Sequence, residues 1–367
     1  MTLQKNTQRL LSLDFMRGLI MVFLMLESAG FYENLFKISE GSGVQSVIQQ
    51  FFHHPWNGLR FWDLIQPGFM FMAGTAMAYS LRRQKADGMS WTQSFRKVLK
   101  RSGWLFFWGV LDYAVRPNGL SFELWDVLTQ LSFTTLVAFL IFQWSYTAQI
   151  IFSIGLLVLT EILYRYTHVP GFDQPFTDQH NFGNYIDLLL MNKINKGGWV
   201  AINCIPTAAH TIWGVLAGKL LLSNKPQREK VKWLLIAGIA GLIIGYSMNV
   251  TITPIIKRIA TSSFVFASGG WCLLALGLFY WWIDMLNHKK YLQFFIVIGM
   301  NSLFIYLFFE IVGDRWFNGY ISAISNGLMR IINIPPGLMS IITSLTIFAL
   351  EWLLCRFLYR RGIFFKI

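Results

Sequence analysis

The sequence predicts an all-α bundle of transmembrane helices, and three observations predict it. Long apolar runs recur along all 367 residues, and each run of about 18 residues or more reads as a bilayer-spanning helix. Apolar residues make up 54% of the chain and charged residues only 13%, against roughly a quarter in soluble domains. The remaining charge gathers in short segments between the runs. No single soluble core could bury so many long apolar segments, so residues 1–367 read as one membrane domain.

Ten spans are expected, the first at residues 10–31. The lead-in MTLQKNTQRLL lacks the apolar stretch and small-residue cleavage site of a signal peptide. The span opens with RLLSLDFMRG, which puts Asp14 and Arg17 at i and i+3 on one helix face, where they can pair. The second span, 62–81, opens with WDLIQPGF, and Pro67 predicts a bend or an unwound turn there. Three more follow at 102–116, 125–143 and 147–165. The last five fall at 200–222, 233–251, 264–285, 292–313 and 337–357. Between the last two, the amphipathic ISAISNGLMRII segment is expected along the outer interface, with a re-entrant segment as the alternative.

Orientation follows from the basic residues. On the side of the termini lie Lys5, Arg9, Lys366 and the dense group Arg82, Arg83, Lys85, Arg96, Lys97, Lys100 and Arg101. Lys and Arg on that side outnumber those opposite by roughly two to one, which places both ends in the cytoplasm. The net charge of +13 is therefore a mark of membrane orientation, and a nucleic-acid partner is not expected. Cys204, Cys272 and Cys355 lie in separate apolar runs without paired spacing, so they predict neither disulfides nor a metal site.

Polar groups at membrane depth are costly and mark candidate functions. Arg17, Glu27, Asp63, Gln66, Asp112, Asp126, Gln130, Glu161, His210, Asn249, Asn301 and Glu310 are of this kind. Each also has a structural reading, as an interhelical hydrogen bond. The segment FFHHPWNGLRFWDLIQPGF is denser. It sets His53, His54, Asn57 and Asp63 within eleven residues at the outer mouth of the second span, with Trp56 and Trp62 as interfacial aromatics. A histidine beside a carboxylate suits acid–base work near neutral pH. A loop histidine pair without a role is the alternative. No third strong ligand stands at a useful spacing from the adjacent histidines, so no metal is expected.

With these blocks in view, the chain resembles the heparan-α-glucosaminide N-acetyltransferase family of membrane acyltransferases and its bacterial homologues. The likeness runs over nearly the whole length. It is carried by RLLSLDFMRGL, HHPWNGLRFWDLIQPGFMFMAG, NYIDLLL, IPTAAHTIWGVLAGKLL, PIIKRIATSSFVFASGG and FFIVIGMNSLFIYLFFE, in that order. Departures are Glu27 where the family often has Asn, Leu128-Thr129-Gln130 without a following Arg, and Asn203 in place of Ser or Thr.

The resemblance implies transfer of an acetyl group from cytosolic acetyl-CoA to an amino sugar across the cytoplasmic membrane of a bacterium. It implies His53 as the catalytic residue, three positions before Trp56, with Asp63, Lys257 and Asn301 at family positions. The expected roles follow. His53 is general base, with Asp63 or Asn57 orienting its ring. Asn301 or Asn57 stabilises the thioester oxyanion. Glu27, Trp56, Lys257 and Asn301 meet the acceptor. Arg17, Arg82, Arg83, Lys97 and Arg101 receive the phosphates of acetyl-CoA, although contact with anionic lipid is the plainer role for most of these cations. A covalent acetyl-His53 is the rival route. Competing functions are O-acetylation of a cell-envelope glycan and transport or flipping without chemistry. A homodimer is left open.

Overall fold

The computed structural model describes residues 10–116 and 120–365. Lys5, Arg9 and Lys366, used above for orientation, lie outside the described residues. The described chain is helical throughout: α1 (Leu11–Ser28), α2 (Phe31–Ile38), α3 (Gln45–Ile48), α4 (Ile65–Ala86), α5 (Trp91–Ala114), α6 (Val127–Leu140), α7 (Tyr146–Tyr166) and α8 (Phe182–Met191). Then come α9 (Cys204–Leu222), α10 (Gln227–Thr251), α11 (Ser262–Phe279), α12 (Leu292–Gly299), α13 (Ser302–Leu307), α14 (Asn318–Ile331) and α15 (Pro336–Arg360). Two π-helical stretches, Tyr280–Met285 and Phe308–Phe317, extend α11 and α13.

Among the described residues, five helices are long and apolar enough to cross a membrane: Tyr146–Tyr166, Ala201–Leu222, Gln227–Thr251, Ser262–Met285 and Pro336–Arg360. A sixth arises if Leu292–Gly299 and Ser302–Ile331 count as one, but these are bent by 71° at the break. The expected spans at 10–31, 62–81, 102–116 and 125–143 are helices too, yet they do not reach that standard. Helix α1 carries Asp14, Arg17 and Glu27 in 18 residues, α6 has only 14, and α4 and α5 mix apolar residues with polar and basic ones.

Packing explains this distribution. Helices α9 and α11 are central, with 67% and 61% of their apolar windows buried, whereas α10 and α7 are peripheral at 17% and 22%. The peripheral helices present Ile150, Ile151, Val158, Ile243 and Val250 outward, as lipid-facing surfaces do. Helices α4 and α9 cross backbone to backbone. A Cβ at Gly74 would collide with the Thr211 carbonyl, and one at Gly214 with the Phe71 carbonyl. Thr75 Oγ1 seals the crossing by donating to the Phe71 and Gly214 carbonyls, each at 3.1 Å. Small residues and hydroxyls do this where apolar burial gives helices no reason to prefer one another over lipid.

Two local expectations change. Pro67 does not bend a span, because α4 begins at Ile65 and the proline sits in its first turn, where no backbone N–H is needed. The break instead falls at Met300–Asn301, between α12 and α13. The start of α1 is fixed by a distant side chain: Asp284 accepts the N–H groups of Leu11 and Ser12 at 3.1 and 3.0 Å.

Candidate functional site

His53 follows the short turn Gln49–Phe51, and Asp63 lies in the 3₁₀ turn Phe61–Leu64 that leads into α4. Asp63 is 1% exposed. Its Oδ1 lies 3.0 Å from His53 Nδ1, and its Oδ2 accepts the backbone N–H of His54 at 3.2 Å and of Arg60 at 2.9 Å. Arg60 closes the loop by donating to the His53 carbonyl at 3.0 Å. One carboxylate thus organises the whole 53–63 loop and aims the imidazole. The Asp14–Arg17 pair forms as expected, at 3.6 Å.

A second loop, residues 252–261, meets the first. Asn57 and Ile256 form an isolated antiparallel bridge, and Gly58 N–H donates to the Ile255 carbonyl at 2.8 Å. Gly58 has φ +146°, and the His54 ring occupies the place its Cβ would take. Thr261 staples the second loop internally, donating to the Pro254 carbonyl at 2.8 Å and accepting from Ile256 N–H at 3.0 Å. The result brings Lys257, 6% exposed, to His53: its Nζ stands 3.0 Å from His53 Nδ1 and 3.7 Å from Asp63 Oδ1. Trp199 walls the group, edge-on to His53 with centroids 5.6 Å apart, and with Lys257 Nζ 5.1 Å from its ring centre.

These contacts shift the three groups differently. Partial burial and then the Lys257 charge lower His53 from 6.5 to about 4, against the pull of Asp63. Burial lowers Lys257 from 10.5 to about 8, with Asp63 and Glu27 opposing. Burial alone would raise Asp63, but the His53 hydrogen bond and the Lys257 charge outweigh it and hold the carboxyl below its ordinary value. At neutral pH the site therefore holds an ionised Asp63 beside a neutral imidazole. His53 keeps 37% of its side chain open, so it is accessible to a ligand.

The other candidates separate into groups. Glu27, at the far end of α1, lies near Trp62 and within electrostatic reach of Lys257, so it borders the site. Trp56 does not face the ligand space. Its Nε1 donates to the Phe176 carbonyl at 2.7 Å, and its ring packs beside Tyr164, Val200 and Ile256. Asn57 is exposed and serves through its backbone bridge, so of the two it is Asp63 that orients His53. Asn301 is misplaced by the sequence reading. It donates to the Ile363 carbonyl and accepts from Phe365 N–H, both at 3.0 Å, next to the Gly299 contact with Asp14 and Gly18. Glu27 is ten residues further along α1 than Arg17, about 15 Å, so Asn301 belongs to the opposite end of the bundle. The bend at 300–301 and the returning C-terminal segment, neither visible as a local pattern, put it there.

At that opposite end a cavity of about 430 Å³ opens between α1, α4, α5, α6 and the α12–α13 break. Arg17 and Arg101 stand on it together with Ser80 and Phe365, while Phe69, Met72, Ala76 and Leu128 form apolar walls. From Ser80 to Phe69 it follows α4 for about 16 Å, toward the end where His53 lies. Asp63 is six residues beyond Phe69, roughly 10 Å. Between them the side chains of Gln66 and Gln130 hydrogen-bond to each other, and Gln130 also donates to the Trp125 carbonyl at 3.2 Å.

The remaining basic candidates do not line this cavity. Arg82 donates to the Leu222 carbonyl at 2.7 Å, Arg83 pairs with Asp87 at 3.9 Å, and Lys97 meets Met89 Sδ at 3.3 Å. Asp187, in the NYIDLLL block, is a structural acid that accepts from Ala201 N–H and Trp125 Nε1 at 2.9 Å each. Trp199 and Arg258 were not anticipated. The Gly-Gly before Trp199 was the available signal, since Gly198 adopts φ +78° to turn the ring inward. Among the described residues no group of three or more His, Cys, Asp or Glu is disposed to hold a metal. No family model and no curated protein matches this chain.

Proposed function

We propose that this chain is a membrane-embedded acyltransferase that moves an acetyl group from acetyl-CoA to the amine of a glucosamine-type sugar. The observation that supports it best is the alignment along α4 of a basic-mouthed apolar cavity with a His53–Asp63 acid–base pair at the helix's other end. The cavity's chemistry suits the donor. Arg17 and Arg101 can neutralise phosphates, which cannot enter hydrocarbon cheaply, and the apolar walls suit an uncharged pantetheine arm. The arm would pass the Gln66–Gln130 pair to bring its thioester to His53.

In this reading Asp63 holds the His53 ring, and the ring Nε2 takes a proton from the acceptor ammonium as its nitrogen attacks the thioester carbon. The C–N bond forms, the C–S bond breaks, and the departing thiolate takes the second proton from the acylated nitrogen, so that an amide and the CoA thiol are released while His53 returns its proton to solvent. Amide N–H groups of Gln66 or Gln130 are better placed than Asn301 to meet the carbonyl oxygen. Direct transfer is preferred over an acetyl-His53 intermediate. It fails if CoA leaves the protein before acceptor is added in a single-turnover measurement.

The ten-span, N-in topology and the cytoplasmic membrane of a bacterium belong to the same proposal. Donor from inside and acceptor from outside require the Arg17 end to face the cytoplasm, which the basic residues favour. The decisive assay is CoA release from acetyl-CoA by purified protein, with and without glucosamine and with envelope-glycan fragments. Release with hydroxyl acceptors alone would make the enzyme an O-acetyltransferase. A transporter or flippase is the second reading, favoured by the 71° break at Met300–Asn301 beside the cavity. It gains if no acceptor elicits CoA release.

A further inference from the structure

His53 Nδ1 has two close neighbours that make incompatible demands. Asp63 Oδ1 and Lys257 Nζ each lie 3.0 Å away. A carboxylate accepts only, so it bonds Nδ1 when that nitrogen carries hydrogen. An ammonium donates only, so it bonds Nδ1 when that nitrogen offers its lone pair. A neutral imidazole carries one proton, on Nδ1 or on Nε2. The two contacts therefore belong to two states of one cluster.

We propose that Lys257 sets the tautomer of His53 and so switches its free nitrogen between proton donor and proton acceptor. With Lys257 charged, its N–H enters the Nδ1 lone pair, the ring proton sits on Nε2, and that nitrogen donates. With Lys257 neutral, Nδ1–H turns to Asp63 and Nε2 presents a lone pair to the ligand space. Going from the first state to the second, Lys257 loses one proton to solvent and the ring proton passes from Nε2 to Nδ1, with no other bond changed. The groups facing Lys257 are Asp63, Glu27 and the Trp199 ring, which favour its charge, and Arg258, which with burial opposes it. Arg258 also opposes a charge on His53. This balance places the lysine's proton loss at about 8, within reach of physiological change. Lys257 is thus a positioning residue for the base role given to His53 above. The inference rests on that role for its consequence, while the tautomer change needs no substrate.

The test is ¹⁵N NMR of the six histidines in the full chain, labelled at the ring nitrogens, with His53→Gln used to assign His53. Nε2 of His53 is expected to shift from protonated to lone-pair character between pH 7 and 9. In Lys257→Met the ring should hold Nδ1–H across that range, and in Lys257→Arg it should hold Nε2–H. A wild-type tautomer that ignores pH, or a switch that persists in either variant, overturns the proposal. Where transfer is measurable, the wild type should show a rising limb near pH 8 in kcat/KM that Lys257→Met lacks. Ionisation of the acceptor amine moves both profiles alike, so the difference isolates Lys257. Absence of any transfer would sink the enzymatic reading and leave the NMR outcome to decide the switch.

Discussion

His53 Nδ1 lies 3.0 Å from Asp63 Oδ1, on a carboxylate whose other oxygen accepts two backbone N–H groups of the same loop. The imidazole is therefore held by a group that is itself held, which is what a base must have to meet a substrate in one geometry. His53→Ala is expected to abolish acetyl transfer while the protein stays folded and still binds acetyl-CoA. His54→Ala, whose ring packs on Gly58, should keep much of the activity. Initial rates and acetyl-CoA binding by calorimetry check both.

Asp63 also faces the buried Lys257 ammonium at 3.7 Å. Asp63→Asn should lower transfer at least about a hundredfold through misorientation of His53, in the range of acid–base contributions. It should also destabilise the protein by about 3 kcal/mol, because it strands a buried charge. The double variant Asp63→Asn with Lys257→Met should recover most of the stability and none of the activity. Thermal unfolding in detergent together with initial rates separates the two effects.

Arg17 and Arg101 share the cavity, and Arg82, Arg83 and Lys97 do not line it. Arg17→Ala and Arg101→Ala are each expected to raise KM for acetyl-CoA about tenfold, the value of one charge-assisted contact. Arg82→Ala and Lys97→Ala should leave it within about twofold. Equal effects across all four would move the donor site to the exposed basic surface.

Acid stability follows from the same group. His53 falls from 6.5 to about 4 on folding, so between those values the unfolded chain binds a proton that the folded one refuses. The contribution of His53 to stability therefore grows as pH rises from about 4 to 6.5. Asp63, held below its ordinary 3.8, adds stability that is lost only as pH falls below that region. His53→Gln should remove that rising contribution, so that the melting temperature gains less between pH 4 and 6.5 than in the wild type, and leave the more acidic loss in place. Melting temperatures across that range provide the check.

The helices and the local dyad were legible because short-range patterns encode them. A long apolar run in a membrane must satisfy its backbone hydrogen bonds within itself and so forms a helix, and His53 and Asp63 lie close enough in sequence to share one loop. Asp14 and Arg17 pair for the same reason, through helical spacing alone. Which helices cross a membrane was less legible, since α1, α4, α5 and α6 are apolar enough to suggest membrane yet carry the polar residues of a protein interior. Hydropathy measures composition and is blind to which neighbour covers a face.

What the sequence by itself determined is an all-helical chain suited to a membrane and a histidine–carboxylate pair in one loop. Tertiary structure alone decided the rest of the site. It brought Lys257 onto His53 from 204 residues away, through a bridge between Asn57 and Ile256 that no periodicity announces. It carried Asn301 to the other end by bending the chain at Met300–Asn301, and it selected Arg17 and Arg101 from a larger set of cations. The physical reason is common to all three. Local propensity comes from neighbours a few residues apart, whereas these contacts exist only once whole helices have chosen their partners by packing and hydrogen bonding.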